Sequence, residues 1–271
     1  MIATLPLPWP FDRDYMQLAL LAGLVVGISA PLIGTFLVHK RMSLMGDGIG
    51  HVAFAGVAAG LLLGVFPIWT AMVAAVAGAV GIEWLRLRGR AAGDLALAMF
   101  FYSGIAGAVV LSSLAHSLNA SVLSYLFGAI LTVSTGDTVV IVALGLGIVT
   151  AVVVGWRALF AVVLDEDAAR VAGLPVTGLS LGLAALAAVT VVAAMRVVGV
   201  LLVAALMVLP VGAAQRWAGS FFGTLVAASG VGAASVVVGL VIARVWGVAP
   251  GGTIVLVAAS AFALSSLRDR R

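Results

Sequence analysis

The sequence predicts an all-α, polytopic integral membrane protein, a helical bundle with eight or nine transmembrane helices. Of its 271 residues, 64% are hydrophobic and only 9% are charged, whereas about 25% of a soluble globular domain is charged. The apolar residues form runs of about 20 positions, which is the length a helix needs to cross a bilayer. Alternating strands of about ten residues, typical of membrane barrels, are absent from the sequence. Residues 1–271 are therefore predicted to form one transmembrane domain.

Nine apolar runs are candidate spans. In chain order they cover residues 16–38, 44–65, 68–85, 95–115, 138–156, 176–195, 198–214, 221–245 and 253–267. The sixth and seventh runs are nearly continuous, so a broken helix followed by a short one would leave eight spans. Most of the 14 basic residues fall in cytoplasmic connections if the N-terminus lies outside. The positive-inside rule therefore predicts an external N-terminus and a cytoplasmic C-terminus.

Asp47 and His51 stand out in the first turns of the second run. Residues four apart share one face of a helix, so a carboxylate and a ring nitrogen here can reach the same divalent cation. Ionisable groups in membrane segments cost about 2.5–3.5 kcal/mol on insertion scales and usually face the protein interior or a water-filled path. The structural alternative is that Asp47 caps the helix and His51 bonds a neighbouring helix.

The residue types and motifs that the sequence lacks exclude several kinds of ligand and activity. The chain has no cysteine, so thiolate ligands are excluded, and one carboxylate with one imidazole suits zinc, manganese and ferrous iron alike. The only lysine, Lys40, does not stand in a Gly-Lys-Ser/Thr phosphate loop, so the chain cannot bind ATP in that way. Basic residues are not clustered with aromatic ones, which argues against nucleic acid. His116, after the fourth run, is either an interfacial anchor or a residue that meets an incoming ion.

Three stretches carry a family resemblance. They read HKRMSLMGDGIGHVAFAG, then SYLFGAILTVSTGD, then LDEDAARVAGLPV followed by RVVGVLLVAALMVLP. In this order and spacing, they resemble the membrane subunits of bacterial ABC-type importers for zinc, manganese or iron, the ABC-3 metal permease family. The step from Asp47 to His51 reads Gly-Ile-Gly, where relatives often have small polar residues, so it offers no hydroxyl ligand.

The resemblance implies a fold, partners and a location. The fold is that of a type II ABC-importer-like permease in the bacterial inner membrane. The partners are cytoplasmic ABC ATPase subunits, an extracellular or periplasmic metal-binding protein, and a second permease copy in a homodimer or pseudo-dimer. The cargo is a divalent zinc, manganese or iron ion, with no permanently bound cofactor. Asp47 and His51 match the metal-contacting positions of the family.

The polar segment 164–175 has two interpretations. Acids at its start and Gly-Leu-Pro at its end predict a short helix. In the first interpretation, based on composition alone, this segment is only a solvated connection between two spans. The resemblance instead favours a coupling helix that docks on the ATPase. The coupling residues would be Asp165, Glu166, Asp167, Ala168, Arg170 and Gly173.

The predicted function is a permease subunit that moves a divalent metal inward and is not itself an enzyme. Two alternatives stay open. A secondary metal/proton transporter would use Asp47 as a proton relay and need no ATPase. An intramembrane enzyme would need a further buried nucleophile or acid cluster, which the sequence does not contain.

Overall fold

The computed structural model describes residues 8–89, 93–114 and 120–268. Within these ranges the chain forms eleven α-helices and no β-strand, in agreement with the predicted all-α class. The helices are α1 (Asp14–His39), α2 (Met45–Leu63), α3 (Pro67–Leu87), α4 (Gly93–Leu114), α5 (Ala120–Phe127), α6 (Thr135–Leu164), α7 (Glu166–Val171), α8 (Val176–Met195), α9 (Val200–Ala214), α10 (Phe221–Trp246) and α11 (Pro250–Arg268). A short 3₁₀ turn, Ile130–Thr132, follows α5.

Eight helices of the described chain are long and apolar enough to span a membrane, namely α1 to α4, α6, α8, α10 and α11. The shorter α9 has 15 residues, about 22 Å of helix against a hydrocarbon core of about 30 Å. It packs against α1, α2, α10 and α11. Among the described helices, eight therefore have spanning length, and α9 is a ninth, shorter apolar helix between them.

The break between α8 and α9 is enclosed by protein. Gly199 precedes α9 with φ +93°, a backbone conformation that L side chains rarely adopt. A Cβ there would lie 2.4 Å from the carbonyl oxygen of Leu126 in α5. The Ala129 amide donates to the Arg196 carbonyl oxygen at 3.1 Å. Non-helical backbone at membrane depth is tolerated where neighbouring protein satisfies it, as here.

The predicted end of the fifth run at residue 156 is wrong. Helix α6 continues through Arg157 to Leu164, a length of 30 residues, and leads directly into α7. A single arginine with a long apolar stem does not interrupt a helix, and the residues that follow it are again apolar. The predicted segment 164–175 does contain a short helix, α7.

Helix α1 lies in the centre of the bundle. It contacts α6, α8, α9 and α10, although α9 and α10 begin more than 150 residues later in the chain. Residues 29–37 of α1, near its C-terminal end, are all buried. The position of α1 matters for the site because α2, which carries Asp47 and His51, follows it after a short connection.

Candidate metal site

The connection between α1 and α2 brings the candidate ligands close to a sharp turn. Arg41, with φ +59°, occupies the left-handed region, and its amide donates to the Val38 carbonyl oxygen while the Met42 amide donates to that of Leu37. This pattern closes the C-terminus of a helix. Helix α2 starts three residues after Met42, so its first turns lie beside the end of α1.

Asp47 and His51 are the third and seventh residues of α2 and lie on one face of it. Both are half-buried, and they are close enough to interact electrostatically. The His51 ring packs edge-on against Phe101 of α4, with ring centroids 4.6 Å apart. The structure therefore brings the two predicted residues together against one neighbouring helix.

Asp47 opens onto a cavity of about 290 Å³ between α2 and α4. Its wall contains a second carboxylate, Asp94, and the aromatic side chains of Phe101 and Tyr102. The Asp94 side chain comes from the first turn of α4 and shares this cavity with Asp47. The full lining is Leu44, Asp47, Asp94, Leu97, Ala98, Phe101 and Tyr102.

The alternative, in which Asp47 caps α2 and His51 bonds a neighbouring helix, does not explain why these two residues are there. The N-cap of α2 is Leu44, and no side chain makes a capping hydrogen bond there. In residues 8–89, 93–114 and 120–268, neither the Asp47 carboxylate nor the His51 ring makes a hydrogen bond to a protein group. Both groups therefore keep their acceptor atoms available to a cation.

The ligand set is open. The described part of the chain holds no group of three or more His, Asp or Glu side chains arranged to bind a metal. One carboxylate and one imidazole leave most coordination positions of a divalent ion to water or another molecule. Such a site suits a passing ion better than a structural one.

Helix α4 approaches the backbone of α2 closely beside His51. A Cβ on Gly104 would lie 2.8 Å from the carbonyl carbon of His51 and 2.7 Å from the amide nitrogen of Val52. Only glycine allows this approach, because real Cβ atoms essentially never come so close to backbone. Backbone packing thus sets the distance between α4 and α2 at His51.

A second cavity, of about 500 Å³, lies at the α1–α2 connection. The two share Leu44, Asp94 and Leu97. Lys40, Arg41 and Arg86 line the second cavity as well. The two cavities therefore lie next to each other between Asp47 and one end of the helical bundle.

Sequence reasoning missed a buried cluster of four charges at that end. Lys40 Nζ lies 2.9 Å from Glu83 Oε1 and 3.0 Å from Glu166 Oε1, while Arg86 Nη2 lies 2.7 Å and 2.6 Å from the same two oxygens. Lys40 also donates to Ser180 Oγ at 2.8 Å. Glu83 and Arg86 are three residues apart on α3, a spacing at which helix side chains meet. Lys40 and Glu166 could not be found this way, since they come from distant parts of the chain.

The predicted coupling segment is a six-residue helix whose polar residues have different surroundings. Asp165 caps α7 by accepting from the amides of Asp167 and Ala168. Gly173, with φ +80°, ends the helix as predicted. The Arg170–Asp167 pair is exposed, whereas Glu166 turns inward to the charge cluster.

The opposite end of α8 holds a second ion pair. Asp137, in the first turn of α6, forms a capping box with the N-cap Ser134 and also accepts from Arg196 Nη2 at 2.7 Å. The Arg196 guanidinium stacks over the Tyr125 ring. His116, predicted near the same end, lies outside the described residues.

Residues 12–269 match the model of the ABC 3 transport family. The chain belongs to this family. The manganese transport system membrane protein MntC of Halalkalibacterium halodurans is 31% identical over 93% of this chain and 86% of its own length. The high-affinity zinc uptake system membrane protein ZnuB of Haemophilus influenzae is 27% identical over 93% of this chain and 97% of its own length.

Solved structures share the fold of this ABC 3 family member. A chain of PsaBC from Streptococcus pneumoniae in complex with Fab has a TM-score of 0.84 at 31% identity, over 94% of this chain and 91% of that chain. A metal-chelate type ABC transporter in an inward-facing conformation gives 0.67 at 16% identity, which supports the fold alone. The predicted family and the all-helical permease fold are confirmed, and the chain is a multi-pass membrane subunit of an ABC transporter.

Proposed function

We propose that this chain carries a divalent transition metal into the cell and that Asp47 and His51 contact the ion. The observation that carries the proposal is the free carboxylate and imidazole on one face of α2, beside a cavity. The names of relatives, which include manganese and zinc transport proteins, support the cargo class. Zinc, manganese and ferrous iron all suit these two ligands.

The proposed direction of transport is from the outside to the cytoplasm of a bacterial cell. The N-terminus would lie outside and the C-terminus inside the inner membrane, because this places most basic residues in cytoplasmic connections. Lys40, Arg41 and Arg86 then mark the cytoplasmic end. The second cavity would give an ion at Asp47 a route past Asp94 to that side.

Energy would come from partners. The whole chain would act as one permease domain without enzymatic activity or a resident cofactor, while cytoplasmic ABC ATPases hydrolyse ATP. Helix α7, with residues 164–175 around it, would dock on the ATPase. An external metal-binding protein would deliver the ion, and a second copy of the chain would complete a homodimer.

Replacing the two ligands tests the proposal. We expect Asp47→Ala and His51→Ala to reduce metal uptake by no less than the roughly 10–100-fold that outer-sphere partners of a metal are worth. The readouts are cellular manganese, zinc and iron content and growth under chelation. His39→Ala is the matched control, because His39 is exposed at the end of α1 and bonds the Thr35 carbonyl oxygen. Undiminished uptake in both ligand variants, at normal protein levels, would refute the assignment of this site.

A secondary metal/proton transporter would differ in one measurable respect. It would accumulate metal in vesicles that hold this chain without any ATPase. No contact among the described residues favours such a secondary transporter. None favours an intramembrane enzyme either, since the described residues hold no group of three or more acids and histidines arranged to bind a metal.

A further inference from the structure

We propose that Glu166 is the positioning residue that joins α7 to the transmembrane helices, so that α7 moves with the ends of α1 and α3 as one rigid unit. The inference rests on the proposed function, because it requires α7 to contact the ATPase. It goes beyond that function by assigning the mechanical connection to one side chain and its partners.

Glu166 differs from the other charged residues of α7 in its exposure and in its ion-pair partners. Its side chain is 26% exposed, whereas that of Asp167 is 91% exposed and that of Arg170 is 61% exposed. Asp167 and Arg170 pair only with each other. Of the three charged side chains of this helix, Glu166 alone reaches residues of the bundle.

Each partner of Glu166 sits at the end of a different transmembrane helix. Arg86 is in the last turn of α3, and Lys40 is the C-cap of α1. Both also contact Glu83, and Lys40 contacts Ser180 of α8. One carboxylate of α7 is thus connected through a few short bonds to α1, α3 and α8.

The cluster is balanced in charge and mostly dry. It contains two cations and two carboxylates, and the side chains of Lys40 and Glu83 are only 6% and 2% exposed. Removing Glu166 leaves two cations, Lys40 and Arg86, to share the single carboxylate of Glu83. Because Lys40 and Glu83 are buried, this is less favourable than losing an exposed pair. Movement of α7 away from α1 and α3 would break the same contacts, so the parts are expected to move together.

The apolar side of α7 holds it on other helices. Ala169 is buried against Val162 of α6 and Val176 of α8. These helices adjoin α7 directly in sequence, so this contact would persist without Glu166. Glu166 adds the connection to α1, and α1 leads through residues 40–44 into Asp47 and His51. Loss of Glu166 should therefore separate ATP hydrolysis from transport without detaching α7.

The test compares two isosteric variants on the same helix, Glu166→Gln and Asp167→Asn. Each is reconstituted in proteoliposomes as the full transporter with its ATPase and delivery protein, with Mn²⁺ and Zn²⁺ as separate probes. We expect Glu166→Gln to keep ATP hydrolysis but to move roughly tenfold less metal per ATP, the scale of one hydrogen bond to a charged group. Asp167→Asn changes only the exposed side of α7, so it should keep the wild-type amount of metal moved per ATP, even where it slows hydrolysis and transport together. Equal metal-to-ATP ratios in the two variants would overturn the inference.

A reversible cross-link tests whether the physical connection between α7 and α3 is enough for coupling when the Arg86–Glu166 charge pair is absent. The chain has no cysteine, so Arg86→Cys with Glu166→Cys offers one defined thiol pair in a cysteine-free ATPase background. The unlinked pair should be uncoupled. A short bifunctional methanethiosulfonate reagent should restore metal transport per ATP, and dithiothreitol should remove it again. If the linked protein stays uncoupled, the rigid-joint assignment is wrong. This arm also decides the question if Glu166→Gln fails to assemble.

The two proposals fail in different ways. A wild-type transporter that moves neither ion would contradict the proposed function, whatever Glu166 does. A wild-type transporter that moves metal, together with a fully coupled Glu166→Gln variant, would contradict only the role of Glu166.

Discussion

Charged side chains in this apolar chain fall into two groups. Glu83, Glu166 and Asp137 have cationic partners within 3.0 Å, as buried charges need because desolvation is costly. Asp47 has none among the described residues and instead faces a cavity and His51. A carboxylate placed in a membrane helix without a structural partner is the strongest residue-level indication of a cation path.

The charge cluster also predicts a pH dependence. Burial raises the pKa of Glu166, but hydrogen bonds from Arg86 and Lys40 outweigh it and hold that pKa below its ordinary value of 4.5. A carboxyl group whose pKa is lower in the folded state stabilises the fold above its ordinary pKa. That stability is lost as the pH falls through the folded pKa.

We therefore expect the free energy of unfolding in detergent to fall as the pH drops below about 4.5, and to fall less steeply in Glu166→Gln. Thermal unfolding followed by circular dichroism across this acid range measures the slope. Asp167→Asn leaves the cluster intact and should follow the wild-type curve in shape. Identical acid slopes in wild type and Glu166→Gln would show that the cluster does not contribute.

At the scale of elements, α2 and α4 meet through glycine at the candidate site. A Cβ on Gly104 would collide with the backbone at His51, whereas one on Gly107, a turn later, would meet Ala55 Cβ at an ordinary 3.7 Å. The two glycines of the same helix therefore differ in what they permit, although the sequence around them is similar.

Gly104→Ala should push α4 away from α2, since overpacking costs about 1–3 kcal/mol, and should lower both the Tm in detergent and metal uptake. Gly107→Ala should leave both unchanged or raise the Tm slightly, because alanine is the better helix former by about 1 kcal/mol. A matched loss in the two variants would mean that the close approach at His51 has no special importance.

The elements themselves were largely predictable from the sequence, because apolar run length decides which segments cross a bilayer. The predicted run 176–195 coincides with α8, and the ends of most others differ by one to three residues. The prediction failed at α6, where Arg157 resembled the end of a span, and it left the α8–α9 break ambiguous. The end of α6 and the α8–α9 break both depend on contacts with neighbouring helices, which the local sequence does not show.

At the scale of the whole molecule, α1 is held by helices far away in sequence. Helix α10 crosses it at Gly232, where a Cβ would lie 2.1 Å from the carbonyl oxygen of Gly27. A Cβ on Gly230 of the same helix would meet nothing within 4 Å. Membrane helices approach closely through small residues in this way, because lipid gives no hydrophobic force between them.

Gly232→Ala should therefore separate α1 from α10, lower the Tm in detergent and reduce the amount of folded protein in the membrane. Gly230→Ala should do neither. Size-exclusion profiles and thermal unfolding of the two purified variants provide the comparison. Equal stability would show that the crossing tolerates a methyl group and that the bundle is less tightly packed than described.

The sequence alone determined that this protein is a helical membrane bundle, which family it resembles, and that Asp47 and His51 share a helix face. These follow from composition, run length and spacing, which are local properties of the chain. Only the tertiary structure decided that Asp94 joins the cavity of Asp47, that α9 is enclosed, and that Lys40, Glu83, Arg86 and Glu166 form one cluster. The reason is that long-range packing sets which helix ends meet, and no local spacing relates residues as far apart as Lys40 and Glu166.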